Sequence, residues 1–169
     1  LDLRRAGRLP EMREYATRTE EVCRKFSAAA PGLPEPWYRM GRIHRALMRD
    51  AEAEAMQEEA LRRDPKYAPA LYERIVITGK KLRMPGAPDR EALLARIAAD
   101  AVAIGGAGVL GAAERRVASA YSAWASRDVE RARRTFAEAI AYDPLLEDGF
   151  EGLALLEVDQ RDSRRPSSV

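Results

Sequence analysis

The sequence predicts an all-α fold built as a stack of helical hairpins, and three observations predict it. In Trp37-x-x-Met40-Gly41-x-x-His44, residues three and four apart put one large, one medium and one absent side chain on a single helical face. A glycine inside a helix is costly unless something approaches closely, so Gly41 predicts a neighbouring helix packed against it. After an interruption at Arg49-Asp50, a second face forms from Ala53, Met56, Ala60 and Leu61. Asp64-Pro65 then stops the helix, because proline lacks the amide donor and disfavours helix at the residue before it. The product is a helix, a tight turn, a second helix and a stop, and another Asp-Pro stop follows at Asp143-Pro144.

This stretch resembles the tetratricopeptide repeat (TPR), which has a period of about 34 residues and a W-x2-L-G-x2-Y…A-x3-F…P pattern. Trp37, Gly41, Ala53, Ala60 and Pro65 stand where that family keeps its Trp, small, Ala, Ala and Pro positions, with Met40 for Leu, His44 for Tyr and Gln57 for Phe. The resemblance implies a right-handed α-solenoid of helix-turn-helix hairpins over residues 1–160.

In order along the chain, Leu1–Gly7 reads as the end of a helix, and Gly7-Arg8-Leu9-Pro10 as a turn with proline placed for a helix start. Glu11–Ala29 is a long helix with Tyr15, Val22, Cys23 and Phe26 expected towards the core; 1–33 is thus a partial unit. Residues 34–67 form the first full repeat. Residues 68–110 form a degenerate, extended one: Leu71 falls where Trp37 did, Ile75 replaces the small residue, and the turn lengthens through Lys80–Pro88. Its second helix, Asp89–Ile104, carries Leu93, Leu94, Ile97 and Val102, and Gly105-Gly106-Ala107-Gly108 breaks the chain. Residues 111–146 restore the pattern with Ala120, Ala132-x3-Phe136, Ala139 and Pro144, although Arg116 stands where Trp or Leu is expected. Residues 147–160 read as a terminal helix, with Phe150, Leu153 and Ala154 in register, covering the last apolar edge as solenoids require; 161–169 reads as a disordered tail.

Composition narrows the functional classes. The chain has 169 residues, 46% of them hydrophobic and 33% charged, enough to build and cover one core. It begins at Leu1 rather than Met, which predicts a fragment or processed piece, and no apolar stretch is long enough to cross a bilayer. A net charge of +2 gives little affinity for phosphate backbones, so no nucleic-acid partner is expected. A single cysteine excludes an intrachain disulfide and a CxxC redox pair, and a cytoplasmic setting fits.

Catalytic chemistry finds few groups to work with, so no enzyme, cofactor or metal is expected. His44 is the lone histidine, at a position that the family fills with a buried aromatic, and reads as a packed imidazole. Cys23 lies near Phe26, where a small buried thiol is the default. No HExxH, clustered Cys/His ligand set or GxSxG is present, and the glycine run lacks the GK[ST] of a phosphate cradle. That run reads as a helix cap and connector. Arg131, Arg133 and Arg134 interleave with Glu130 and Glu138, which predicts a solvated, ion-paired face. Ser167-Ser168-Val169 has the form of a C-terminal ligand for strand addition, or marks only where the sequence stops.

The TPR resemblance implies a groove lined by the first helix of each hairpin. Its lining positions map to Glu35, Tyr38, Arg42 and Arg45, then to Pro69, Tyr72, Val76 and Gly79 with Lys80 beside them, then to Glu114, Val117, Tyr121 and Trp124. Aromatic and arginine side chains are the usual anchors of interfaces, and an arginine fork pairs with carboxylate. The expected partner-binding residues are therefore Tyr38, Arg42, Arg45, Tyr72, Val76, Lys80, Tyr121 and Trp124. The competing reading is that Tyr72 and Tyr121 simply pack between helices, and that Arg42 and Arg45 belong to an exposed arginine face. The asparagine of the family's carboxylate clamp is missing from Arg42, Val76 and Tyr121, so a chaperone clamp is not expected.

The function expected from these features is a non-enzymatic interaction module that holds a peptide or helix of a partner protein, acidic in character, with no membrane association. Two alternatives stand beside it. One is a regulatory or scaffolding region of a larger protein, since Pro69–Arg74 loosely resembles repeats that follow bacterial serine/threonine kinase domains. The other is a solenoid that pairs with itself.

Overall fold

The structure of the chain is a computed structural model that describes residues 9–83, 89–105 and 110–164. Among the described residues it is all-helical: α1 (Leu9–Ala29), α2 (Glu35–Ala46), α3 (Asp50–Arg63), α4 (Ala68–Lys81), α5 (Arg90–Ile104), α6 (Ala112–Ala125), α7 (Val129–Tyr142) and α8 (Glu147–Arg164). The chain divides into two compact units, Leu1–Ala70 and Leu71–Val169, with the division inside the first turn of α4. The helix end expected over Leu1–Gly7, the loop residues 84–88, Gly106-Ala107-Gly108 and the last residues 165–169 lie outside the described residues.

In the first unit α1 packs on α2, and α2 on α3. The close approach predicted at Gly41 is present: a Cβ there would lie 2.9 Å from Gln57 Cδ and 3.1 Å from the Ala53 carbonyl oxygen. Gln57 is fully buried, and its Nε2 donates to the Tyr38 carbonyl at 3.3 Å. The face of α1 differs from expectation. Cys23 is buried, but Tyr15 and Val22 are each 65% exposed and Phe26 is exposed as well. The buried stripe is instead Met12, Ala16 and Cys23. Two apolar stripes lie side by side on this helix, and α2 meets the one whose small side chains let the backbones come close. His44 is half-buried, with Nε2 3.7 Å from Glu20 Oε1 on α1.

The α2–α3 and α6–α7 hairpins repeat one another in backbone detail. Each first helix ends with a non-glycine residue in the left-handed region, Met48 at φ 62° and Arg127 at φ 63°. The following amide reaches back across the last turn, Arg49 N to His44 O and Asp128 N to Ala123 O, both at 2.9 Å. This satisfies a terminal carbonyl that would otherwise face solvent without a backbone partner. Each second helix ends on an extended aspartate, Asp64 at φ −139° and Asp143 at φ −137°. Their carboxylates accept from Lys66 N (2.9 Å) and Leu145 N (3.0 Å), the local bond that makes Asp-Pro an effective stop.

In the second unit α5 packs on α6, α6 on α7, and α8 on both α6 and α7. Its core holds Ile75, Ile77, Ile97, Val117, Tyr121, Phe136 and Leu156. Arg74 on α4 grips the buried Asp100 on α5 with two bonds of 2.8 and 2.6 Å. On α5, Leu93, Leu94 and Ile97 are buried as the spacing implies, but Val102 is exposed and Ile104 enters the core in its place. Gly105 caps α5, its amide bonding the Val102 carbonyl at 3.0 Å.

The last helix departs furthest from expectation. It continues to Arg164, so 161–164 are helical rather than tail. Phe150 and Ala154 are exposed, and the buried face is Asp148, Gly149, Gly152, Leu155 and Leu156. Gly152 accounts for the shift: a Cβ there would sit 2.6 Å from Phe136 Cζ, so α8 lies flat against that ring through its glycine side. Close contact with a buried aromatic outweighs the bulk of Phe150.

Candidate partner-binding surface

The eight residues expected to line a groove divide between the two units. Tyr38, Arg42 and Arg45 belong to the first; Tyr72, Val76, Lys80, Tyr121 and Trp124 belong to the second.

In the first unit, Glu35, Tyr38, Arg42 and Arg45 follow one another at three- and four-residue steps along one face of α2. Pro36 near the start of α2 tolerates the missing amide bond there and helps set where that face begins. Tyr38 is half-buried and meets Tyr67 edge-on, with centroids 5.7 Å apart at 74°. The Arg42 guanidinium lies 6.0 Å from the Tyr38 centroid, and Arg42 is exposed. Tyr67 donates its hydroxyl to the Glu35 carboxylate, which also accepts from Arg39 Nε at 2.6 Å. Arg45 is half-buried on the last turn. The result is an amphipathic patch of two packed tyrosines bordered by cationic side chains. Trp37 points elsewhere, and the Arg63 guanidinium covers its ring at 4.3 Å.

The second unit does not present an open groove at the expected residues. Tyr72, Val76, Tyr121 and Trp124 are at most 3% exposed. Tyr121 stacks on Trp124 (6.0 Å, 21°) and meets Phe136 edge-on (5.1 Å, 88°). Its ring also fills the space that glycine leaves at Gly79, where a Cβ would be 2.9 Å from Tyr121 Cζ. The polar tips of the other side chains are bound by carboxylates of α8. The Tyr72 hydroxyl donates to Asp148 (2.7 Å), Lys80 Nζ pairs with Glu151 (3.3 Å), and Trp124 Nε1 donates to Asp159 (3.2 Å). Arg90 also reaches Asp159, at 2.8 Å. Tyr72, Val76, Tyr121 and Trp124 are therefore packed in the unit's interior, and the half-buried Lys80 is tethered to α8. A signal for this existed in the sequence: Asp148, Gly152, Leu155 and Asp159 share one helical face, with acids at both ends and small or apolar residues between.

Other candidates resolve simply. Cys23 is buried, and burial is the main cause that pushes its thiol up from the ordinary value, which disfavours the thiolate. Arg133 pairs with Glu157 and Glu130, and the bond to Glu157, then that to Glu130, holds its proton more tightly still. Arg131 and Arg134 lack such carboxylate partners among the described residues, so the ion-paired face predicted there is only partly formed. Among the described residues no three of His, Cys, Asp and Glu converge on a metal position, and no helix is long and apolar enough to cross a membrane.

No family model matches the chain, and searches of curated proteins and of solved structures find no significant similarity.

Proposed function

We propose that the chain is a non-enzymatic helical-repeat module of the TPR-like, right-handed solenoid type, working in the cytoplasm. It takes an acidic peptide or helix of a partner protein on the Tyr38–Arg42–Arg45 face of α2. The observation that carries this reading is the pair of packed tyrosines, Tyr38 and Tyr67, with the exposed Arg42 guanidinium 6.0 Å from the Tyr38 centroid. Such a patch offers buried aromatic area next to a carboxylate-binding fork. The repeated backbone of the α2–α3 and α6–α7 hairpins supports the repeat architecture. The burial of Tyr72, Val76, Tyr121 and Trp124 moves the reading away from the second unit.

The test is a pull-down from native lysate with wild type and the Arg42→Glu/Arg45→Glu variant side by side, with circular dichroism of both. A protein retained by wild type and lost from an equally helical variant supports the assignment and identifies the partner. An identical retained set, or none, overturns it.

Self-association is a second reading, favoured by one observation: Tyr15, Val22 and Phe26 form an exposed apolar stripe on α1. Concentration-dependent mass that Val22→Glu abolishes would support it; a monomer at all concentrations would remove it.

A further inference from the structure

We propose that the cleft between α6 and α7 is an oxyanion site for a phosphate dianion, either the free ion or the phosphate group of a phosphorylated side chain. The cleft is about 540 Å3 and is lined from α6 by Arg115, Arg116 and Ser119 and from α7 by Arg131, Thr135 and Glu138. On α6 these residues lie on the side away from the buried stripe of Val117, Tyr121 and Trp124, so the cleft is separate from the unit's interior. It is also distinct from the α2 surface, which belongs to the first unit.

Charge pairing sets these arginines apart from most others of the second unit; Arg134, outside the cleft, also lacks a carboxylate partner among the described residues. Elsewhere in the second unit Arg74, Arg90, Arg127 and Arg133 each hold a carboxylate. Among the described residues no carboxylate pairs with Arg115, Arg116 or Arg131, and Glu138, which lines the same cleft, pairs with none of them. Three arginines and a single acidic residue thus line one polar opening.

Two of the three are held in place. Arg116 Nη1 donates to the Ala112 carbonyl at 3.0 Å, and its guanidinium lies 4.5 Å from the Tyr142 centroid. Arg115 Nη1 donates to the Leu110 carbonyl. Each fork keeps further N–H groups for a ligand, because a guanidinium carries five donors. The exposed Ser119 adds a hydroxyl donor, whereas Thr135 spends its own on the Arg131 carbonyl at 2.8 Å.

The charge balance favours a doubly charged phosphate over a single carboxylate, and arginine forks suit its oxygens. A polynucleotide is disfavoured, because Glu138 lines the cleft and the neighbouring Arg133 is already paired. The same chemistry is presented by free inorganic phosphate and by a phosphorylated side chain, and the experiment separates them.

The test follows backbone amide shifts of the 15N-labelled chain at constant ionic strength. The ligands are inorganic phosphate, a glycine-flanked phosphoserine peptide, its unphosphorylated form, and chloride as control. The expected result is saturable movement at Ser119, Arg131 and Thr135 with phosphate or phosphopeptide, and none with the other two. Binding at least tenfold tighter for the phosphopeptide assigns a phosphorylated side chain; equal binding assigns the free ion. Arg116→Gln/Arg131→Gln is expected to weaken binding at least tenfold, with Arg134→Gln, outside the cleft, unchanged. Because Arg116 also packs on Tyr142, Arg131→Gln alone decides the matter should the double variant lose helicity. A non-saturating response, shifts spread over all surface arginines, or wild-type binding by Arg131→Gln overturns the proposal.

Discussion

Tyr72 on α4 and Asp148 on α8 share a buried hydrogen bond of 2.7 Å, which closes the second unit by joining its first helix to its last. A bond from a hydroxyl to a buried carboxylate contributes more than a neutral pair, about 1.5–3 kcal/mol. Tyr72→Phe removes the donor and keeps the ring, so it is expected to destabilise the unit by about that amount. Asp148→Asn weakens the acceptor and should cost less. Denaturant unfolding of both variants and the double variant checks this, and the expected cycle is strongly non-additive. Simple additivity would show that the contact contributes little.

Gly152→Ala tests the flat packing of α8 on Phe136. The added methyl meets a buried ring that has no free end to move, and overpacking of this kind costs about 1–3 kcal/mol. At Gly41 the nearest atoms are the end of the Gln57 side chain, buried but with more rotatable bonds than a phenylalanine ring, with the Ala53 carbonyl oxygen next at 3.1 Å. Gly41→Ala is therefore expected to lower the melting temperature less than Gly152→Ala. Equal losses would mean that Gln57 is as immobile as the ring.

The two left-handed turn residues predict a gain. An L-residue in that region carries about 1–2 kcal/mol of strain, and glycine relieves it at the expense of greater freedom in the unfolded chain. Met48→Gly and Arg127→Gly are each expected to raise stability by roughly 0.5–1 kcal/mol. Arg127 also pairs with Glu91 at the surface, a contact of small worth, so Met48→Gly should show the larger gain. Melting curves of the single variants decide the order.

The hairpins were legible because their signals are local. Gly41, Asp64-Pro65 and Asp143-Pro144 act through the backbone or the nearest helix, and each does what its chemistry implies. The burial of the residues expected to line a groove in the second unit was not, because Tyr72 and Trp124 bond to α8, 76 residues from the former and 35 from the latter. The register of Phe150, Leu153 and Ala154 predicts a different inward face of α8 from the one observed, where Phe150 and Ala154 are exposed and Gly152 meets Phe136. On α1 the expected Cys23 is buried, but Met12 and Ala16 join it in place of Tyr15, Val22 and Phe26. The arginine cleft was invisible for a different reason: α7 spacing alone pairs its arginines with Glu130 and Glu138, and only the geometry shows that Arg131 is left out.

Cys23 gives a pH-dependent prediction. Burial is the main cause raising its thiol above the ordinary value of 9.0; Arg39 works against this, while Glu35 and then Glu20 add to it. The folded chain therefore holds this proton at pH values where the unfolded chain has lost it. Deprotonation then favours the unfolded state, so the contribution is intact below pH 9.0 and is lost as pH rises through the folded value. Because lysines and tyrosines titrate in the same range, the informative quantity is the difference between wild type and Cys23→Ala. Wild-type stability is expected to fall more steeply than that of Cys23→Ala as pH rises above 9.0. Native Cys23 should also react with a thiol reagent far more slowly than the urea-unfolded chain at the same pH. Parallel stability curves for the two proteins, or equal labelling rates in the two states, would show that the thiol is open to solvent in the folded chain.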